Sequence, residues 1–415
     1  MTSHSKKWSR RDFFKIAGTA GMGAMLGPLT ANSRVGSQGA GIGEPPTADA
    51  ARMPTRTFGR AGIRVPILAL GGMFDTGANQ LVLKQALRWG VTYWDTADCY
   101  GNGESETGFG KYFAKYPQDR GKIFLVTKSD SRDPDGMSRL LAQSLKRLNT
   151  SYIDLYFLHG VRDIDELDDR TRKWAQKAKA DGKIKLFGFS AHRNMAELLA
   201  AAAKRDYIDG IMLTYNFRIM HTPEMKAAMD SCAQAGIGLT AMKTQAERSW
   251  LGGGRDEKAG AEMVETFMEK GMTEHQAKLK AVWTNPHIAS ICSQMPDMTI
   301  LKANVAAAMD TTPLTSGQMG LLEKYAEETA HQYCAGCGHI CEAAVAGRVP
   351  IGDIMRFHMY RESYGRPDWA REHFHRLGPD MHRRLAETDF AAAERCCPHR
   401  MPIALLMRRA IEYFT

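Results

Sequence analysis

MSRLLAQSLKRLNTSYIDLYFLHG, residues 137–160, changes its period halfway along. In the first half Leu141, Leu145 and Leu148 recur at i, i+4 and i+7, the spacing of one helix face. In the second half IDLYFLHG, 153–160, is a short apolar run that ends on a histidine, as a buried strand does when it reaches the surface. Seven further runs of this kind follow from the same reading: VPILALGG (65–72), VTYWDTA (91–97), KIFLVTK (122–128), IKLFGFS (184–190), GIMLTYN (210–216), GIGLTAMK (236–243) and IASICSQM (288–295). Helical patterns lie between them. Eight strand–helix units predict an α/β fold, a (β/α)8 TIM barrel, over 55–311. A doubly wound sheet also alternates, but no Gly-x-Gly-x-x-Gly follows the first run, and eight even units fit closure better. GGGRDEKAG, 252–260, reads as a long loop after the seventh strand.

A barrel of this kind carries its chemistry at the C-terminal ends of its strands. Asp95 closes VTYWD, and Tyr100 follows in the next loop. Lys128 closes KIFLVTK and His159 closes IDLYFLH. Taken singly, each has a structural explanation: a helix cap, a core tyrosine, a surface lysine, a core histidine. Together they converge on one barrel mouth. Cys99, Cys232 and Cys292 lie on barrel segments and read as buried packing residues.

These residues carry a resemblance to the aldo-keto reductase family. WDTADCYGNGESETGFGKYF (94–113), Thr127–Lys128 and SLKRLNTSYIDLYFLHG (144–160) are similar to the segments that supply its tetrad. The resemblance implies an oxidoreductase that reduces a small-molecule carbonyl or oxidises an alcohol. By that match Tyr100 is the general acid, Lys128 paired with Asp95 lowers the phenol's pKa, and His159 orients the carbonyl. It also implies NADP or NAD as cofactor, with contacts from Ser190, Asn216, Met242, Lys243 and Asn304. Here the chain departs from the family pattern. Ser190 is followed by Ala191 rather than Asn, and a strand-six glutamine falls at Met212. The ring-stacking tyrosine falls at Met242, and the basic pair that grips a 2′-phosphate falls near Gln294 and Ile300.

The two ends of the chain read differently from its middle. SRRDFFK (9–15), followed by the Gly/Ala-rich apolar stretch IAGTAGMGAMLGPLTA, resembles a twin-arginine export signal. Residues 1–31 are therefore expected to be a signal peptide read by the twin-arginine machinery, 32–54 a linker, and the mature protein periplasmic. No later segment is long and apolar enough for a stable membrane span. The net charge of +9 comes without an aromatic-rich basic motif, so no nucleic-acid partner is expected.

Residues 312–415 read as a smaller, mostly helical iron–sulfur domain. Five of the eight cysteines fall after residue 330, which points to a local site rather than a disulfide scaffold. The spacing C-x2-C-x3-C…C-P places Cys334, Cys337, Cys341 and Cys397 as ligands of one 4Fe-4S cluster, with Cys396 as the alternative fourth thiol. A four-cysteine zinc site and disulfides are the competing readings. The tail also looks like the C-terminal extension of exported, cluster-bearing aldo-keto reductase homologues. That route exports folded proteins, so a cluster built where thiols stay reduced leaves inside the fold.

Two functional readings follow. One is a carbonyl reductase with a bound nicotinamide cofactor. The other is an exported electron-transfer or interaction module, serving a redox partner protein, whose barrel no longer uses free NAD(P)H. The targeting element is tested by replacing Arg10 and Arg11 together with lysine. The precursor is expected to stay in the cytoplasm by fractionation, and mature protein still reaching the periplasm contradicts the twin-arginine reading.

Overall fold

The computed structural model describes residues 53–246 and 257–415. The expected signal, linker and most of the 252–260 loop lie outside them. The described residues belong to one compact unit, Glu44–Thr415.

Among the described residues ten strands form: β1 Thr55–Phe58, β2 Ile63–Pro66, β3 Leu68–Gly71, β4 Tyr93–Asp95, β5 Phe124–Ser129, β6 Ile153–Leu158, β7 Ile184–Ala191, β8 Gly210–Thr214, β9 Gly238–Met242 and β10 Ile288–Gln294. Strands β3 to β10 close into a parallel barrel in the order β10-β3-β4-β5-β6-β7-β8-β9. These are the eight runs of the sequence, so the expected (β/α)8 barrel is present. Between and around them lie α1 Gln80–Arg88, α2 Glu104–Lys115, α3 Pro134–Arg147, α4 Asp169–Ala180, α5 Met195–Ala202, α6 Pro223–Gln234, α7 Glu257–Glu269, α8 Glu274–Trp283 and α9 Met298–Met309. In α3 the leucine stripe turns inward: Leu141 and Leu148 are buried, and Leu145 packs against the same core. Asp133 caps that helix by accepting from the Gly136 N–H at 2.7 Å. Residues 257–260, expected as loop, begin α7.

The run VPILALGG is split. Its first residues end β2, which pairs antiparallel with β1 across the N-terminal end of the barrel. Phe58 of this hairpin is fully buried and plugs the barrel floor. A Cβ at Gly238 would stand 2.4 Å from the Phe58 ring, and one at Gly210 2.7 Å from it, so both strands must carry glycine there. Tyr93, Val126, Leu155, Phe157 and Met212 continue the interior packing above Phe58.

The tail is helical: α10 Ser316–Glu328, α11 Gly338–Ala343, α12 Ile351–Glu362, α13 Pro367–His375, α14 Pro379–Glu387, α15 Ala391–Cys396 and α16 Ile403–Phe414. Its first helix adds Leu322 and Tyr325 to the barrel's outer core. A separate core, from Val345 to Phe414, begins only after Tyr333.

The tail is docked by polar contacts at the C-terminal face of the barrel. Tyr333 Oη accepts from Asn216 Nδ2 at 2.8 Å, and Thr329 Oγ1 accepts from Arg218 at 2.8 Å. The Asn194 N–H donates to the Gly336 carbonyl at 2.8 Å. Asp353 on α12, only 1% exposed at its side chain, meets Arg162 at 2.8 Å, Arg356 at 3.2 Å and Arg193 at 3.5 Å. Arg193 also meets Glu342 at 2.7 Å. Among the described residues no helix is long and apolar enough to cross a membrane.

Candidate active site at the barrel mouth

Asp95 ends β4, Lys128 lies one residue before the end of β5, and His159 follows β6 directly. Parallel registration of neighbouring strands sets the three side by side at the C-terminal face. Tyr100 enters from the loop after β4, where Gly101 and Asn102 take left-handed backbone angles. Gly103 closes that turn at φ 91°, and a Cβ there would strike the Arg147 guanidinium at 2.3 Å. The turn therefore needs glycine, and the turn is what points Tyr100 inward.

Lys128 Nζ is the hub. It donates to Asp95 Oδ2 at 2.7 Å, to the Thr96 carbonyl at 2.7 Å and to Tyr100 Oη at 3.3 Å. Lys128 and Asp95 are each 1% exposed, so the pair survives only because the lysine's donors are all occupied. Burial pushes the Asp95 carboxyl up, and Lys128 opposes that. Burial, with the Asp95 charge added, pushes the Tyr100 phenol well above its usual value. The family resemblance implies a lowered phenol; burial, the larger cause, acts in the opposite direction here. The Tyr100 hydroxyl therefore keeps its proton at neutral pH.

His159 stands 5.8 Å from Tyr100, ring centre to ring centre, edge on. Its Nδ1 is 2.7 Å from Asp130 Oδ1 and 3.5 Å from Cys99 Sγ. Burial opposes ionisation of Asp130, but the His159 hydrogen bond and charge hold it down at about 2. The carboxylate is therefore an acceptor, and Nδ1 carries the proton. Burial lowers His159 despite the pull of Asp130. The neutral ring then turns an unprotonated Nε2 to its surroundings.

These groups sit on a cavity of about 950 Å³, the size of a site for a substantial organic ligand. Its walls include Cys292, Met212 and Met242 from the barrel, and its roof is supplied by Arg356, Tyr360 and Trp369 of the tail. Cys99 and Cys292 are thus cavity residues rather than packing residues, whereas Cys232 is buried as expected. Among the five expected cofactor contacts, Met242 and Lys243 line the cavity. The other three are engaged within the chain. Ser190 Oγ accepts from the Gly160 N–H at 2.9 Å. Asn216 donates to the Lys243 carbonyl and to Tyr333. Asn304 donates to Ser293 Oγ at 3.0 Å. Asp297 caps α9, and Gln294 donates to the Met73 carbonyl, so no positive charge stands at the positions expected to grip a 2′-phosphate.

The roof and the residues Asp130, His192 and Arg356 were not singled out in the sequence. Asp130 is two residues past Lys128 and His192 two past Ser190, so strand-end position alone could have found both. Arg356 becomes a site residue only through tail docking. Lys243 adopts a left-handed φ of 57°. Burial, then the nearby Arg356 charge, lowers it to about 7.

Cys334, Cys337, Cys341 and Cys397 line one apolar pocket with Ile340, Met355 and Met401. The Met401 N–H donates to Cys397 Sγ at 3.4 Å. Cys396 is exposed and does not line the pocket; its thiol donates to the Ala393 carbonyl at 3.3 Å and reaches the Ile340 carbonyl at 3.6 Å. Burial pushes the Cys334 thiol up to about 12. Cys334 also lines an adjoining cleft with His192, Lys243 and Arg356, residues that border the main cavity as well.

Comparison with known proteins agrees with this geometry. The chain is 28% identical over 282 residues to the uncharacterized oxidoreductase YrpG of Bacillus subtilis, covering 60% of this chain and 81% of that one. It is 34% identical over 153 residues to the aldo-keto reductase yakc [NADP(+)] of Schizosaccharomyces pombe, covering 33% of this chain and 42% of that one. The solved aldo-keto reductase AKR11C1 of Bacillus halodurans, in holo form, superposes with a TM-score of 0.56 at 24% identity. That match covers 66% of this chain and 96% of that one, and it speaks to the fold alone. A thermostable aldo-keto reductase, Tm1743, solved with the inhibitor epalrestat, superposes with a TM-score of 0.54 at 26% identity, covering 66% of this chain and 99% of that one. The sequence model described as "Aldo/keto reductase family" matches residues 68–296, more than half of the 415, and with the barrel and its mouth as described, this chain belongs to that family of oxidoreductases.

Proposed function

We propose that the chain is an exported, periplasmic carbonyl reductase or alcohol dehydrogenase with Tyr100 as its general acid and a 4Fe-4S cluster in its tail. The observation that carries the first part is the Lys128 hub, which joins buried Asp95 to the Tyr100 hydroxyl on the cavity wall. In carbonyl reduction Tyr100 gives its proton to the oxygen. The phenolate left behind keeps a hydrogen bond from the Lys128 ammonium, so charge develops where a fixed cation already stands. Asp95 holds that cation in place, and His159 borders the same space.

A bound nicotinamide supplies the hydride in this chemistry. Met242 and Lys243 are the expected contacts left to line it. The donor set does not fit a 2′-phosphate, since Gln294 and Ile300 replace the basic pair and Asp297 occupies the cap. NADH therefore suits the site better than NADPH.

The cysteine pocket fits a cluster. Its walls are apolar, the Met401 N–H donates to Cys397 Sγ, and four cysteines line it. A tetrahedral zinc site built from four thiolates needs every sulfur pair about 3.8 Å apart. Among the described residues the group of ligand atoms gathered within 4.8 Å is Asp98, Cys99, Asp130 and His159, not the four cysteines. Cys397 is favoured over Cys396 because Cys397 lines the pocket and the exposed Cys396 does not. A second reading, the cluster as an electron relay to the barrel, is favoured by the cleft that Cys334 shares with Lys243 and Arg356.

Tyr100→Phe keeps the ring and removes the transferable proton. Its kcat for carbonyl reduction is expected to fall about 10²–10⁴-fold with an unchanged melting curve. Lys128→Met is expected to lower kcat too, without adding to the first loss, because both act on one proton transfer. Full reduction by Tyr100→Phe contradicts the mechanism. The purified protein should be brown, with roughly four iron and four sulfide per chain. Cys337→Ser should bleach it and Cys396→Ser should not; stoichiometric zinc without iron contradicts the cluster.

A further inference from the structure

Beside the tetrad, four side chains from three successive strand ends face one another. Asp98 and Cys99 follow β4, Asp130 follows β5, and His159 follows β6. One ligand atom from each lies within 4.8 Å of all the others. Cys99, Asp130 and His159 border the cavity. Asp98 is 7% exposed. Its Oδ2 accepts from the Asp130 N–H at 3.3 Å, but its Oδ1 is buried without a hydrogen-bond partner. Burial, with the Asp130 charge beside it, pushes the Asp98 carboxyl up to about 7, so its unpartnered oxygen is costly as an anion until a cation joins it.

The neighbouring cations of the protein are directed elsewhere. Lys128 serves Asp95, Thr96 and Tyr100. Arg132 pairs with Glu166 and donates to the His159 carbonyl. Arg147 reaches Glu106 and the Asp98 backbone carbonyl, not its carboxylate. Two carboxylates, a thiol and an imidazole are thus gathered, and among the described residues no side-chain cation reaches Asp98 Oδ1.

We propose that Asp98, Cys99, Asp130 and His159 bind a divalent transition-metal ion of the zinc type, entering from the cavity. One nitrogen, one sulfur and two oxygens suit zinc or cobalt, whereas magnesium and calcium do not take a thiolate. The scale is right. Bonds of about 2.0 Å to nitrogen and about 2.3 Å to sulfur in a tetrahedron set their separation at about 3.5 Å, and His159 Nδ1 and Cys99 Sγ stand 3.5 Å apart. The ion inserts between His159 Nδ1 and Asp130 Oδ1, which must open from their 2.7 Å hydrogen bond. Binding is balanced by proton release: the Cys99 thiol and whatever fraction of Asp98 is protonated lose their protons to solvent, and the Nδ1 proton is displaced, with Nε2 protonated in its place.

That last exchange gives the ion a function. Without metal, the Nδ1–H donates to Asp130 and Nε2 is an acceptor. With metal on Nδ1, Nε2 carries the proton and becomes a donor, the form that can hold a carbonyl oxygen. The ion is a positioning group for His159, and the ligand set itself does not depend on the reductase reading.

Zinc is titrated calorimetrically into the full chain with its tail centre intact, in buffers of different ionisation enthalpy. The expected result is one zinc per chain beyond any metal in the tail, with net release of about one proton from the Cys99 thiol and a further fraction from Asp98 that shrinks as the buffer pH rises. Cys99→Ser and Asp98→Asn should each weaken binding by about 10-fold or more, and Cys99→Ser should lower the proton release by about one. Cys396→Ser should bind as wild type. Absence of zinc beyond the tail centre, or binding unchanged in Cys99→Ser, overturns the proposal. Should Asp98→Asn fail to fold by circular dichroism, Cys99→Ser and Cys99→Ala decide alone. Because the readout is binding, it stands apart from loss of carbonyl reduction in Tyr100→Phe.

Discussion

The Asp353 carboxylate is the interaction on which the arrangement of the tail depends. It is buried on α12 and meets arginines from two barrel loops, Arg162 and Arg193, and one from its own helix, Arg356. A single carboxylate among three guanidinium groups leaves excess positive charge, and Glu342 on Arg193 offsets part of it. The geometry fixes more than contact. Because Arg162 follows β6 and Arg193 follows β7, the pairing sets α12 over the mouth of the barrel and over His159. Arg356, Met359 and Tyr360 on that helix then roof the cavity.

The same docking brings the cysteine pocket close to the barrel. Tyr333, one residue before Cys334, is held by Asn216 at the end of β8, and Arg218 holds Thr329 just upstream. Asn216 therefore serves as a tether. What the tail gains in position, the barrel spends from residues expected to contact the cofactor. This trade accounts for Asn216 alone; Ser190 and Asn304 are bonded within the barrel, to Gly160 and Ser293. The proton-handling end is intact, because Asp95, Lys128 and Tyr100 are held by the barrel and its own loop.

The barrel was legible because each closing strand is a short apolar run with a helix pattern after it; Asp95, Lys128 and His159 stood out at strand ends, and Tyr100, in the loop after β4, through the family resemblance. The β1–β2 hairpin was not. Its strands are four residues each, and the second merges into VPILALGG without a turn signal. The family resemblance assigned Ser190, Asn216 and Asn304 to the cofactor site; their hydrogen-bond partners within the chain, Gly160, Tyr333 and Ser293, leave no periodicity in the sequence. Cys99 and Cys292 read as packing because a small apolar residue after a strand looks the same whether a cavity or a core lies beyond it. Cys396 and Cys397 are adjacent, and only the direction of each thiol separates them.

The central structural claim is that the tail is part of the active site and that Asp353 holds it there. Hydrogen exchange on Asp353→Asn tests this most directly. The substitution keeps the shape and removes the charge, and losing one partner of a buried ion pair costs about 3–5 kcal/mol. Amides of α12 and of the loops carrying Arg162 and Arg193 are expected to lose protection together, while β4 to β6 keep theirs. Unchanged protection in those loops, with α12 still closed over the cavity, contradicts it.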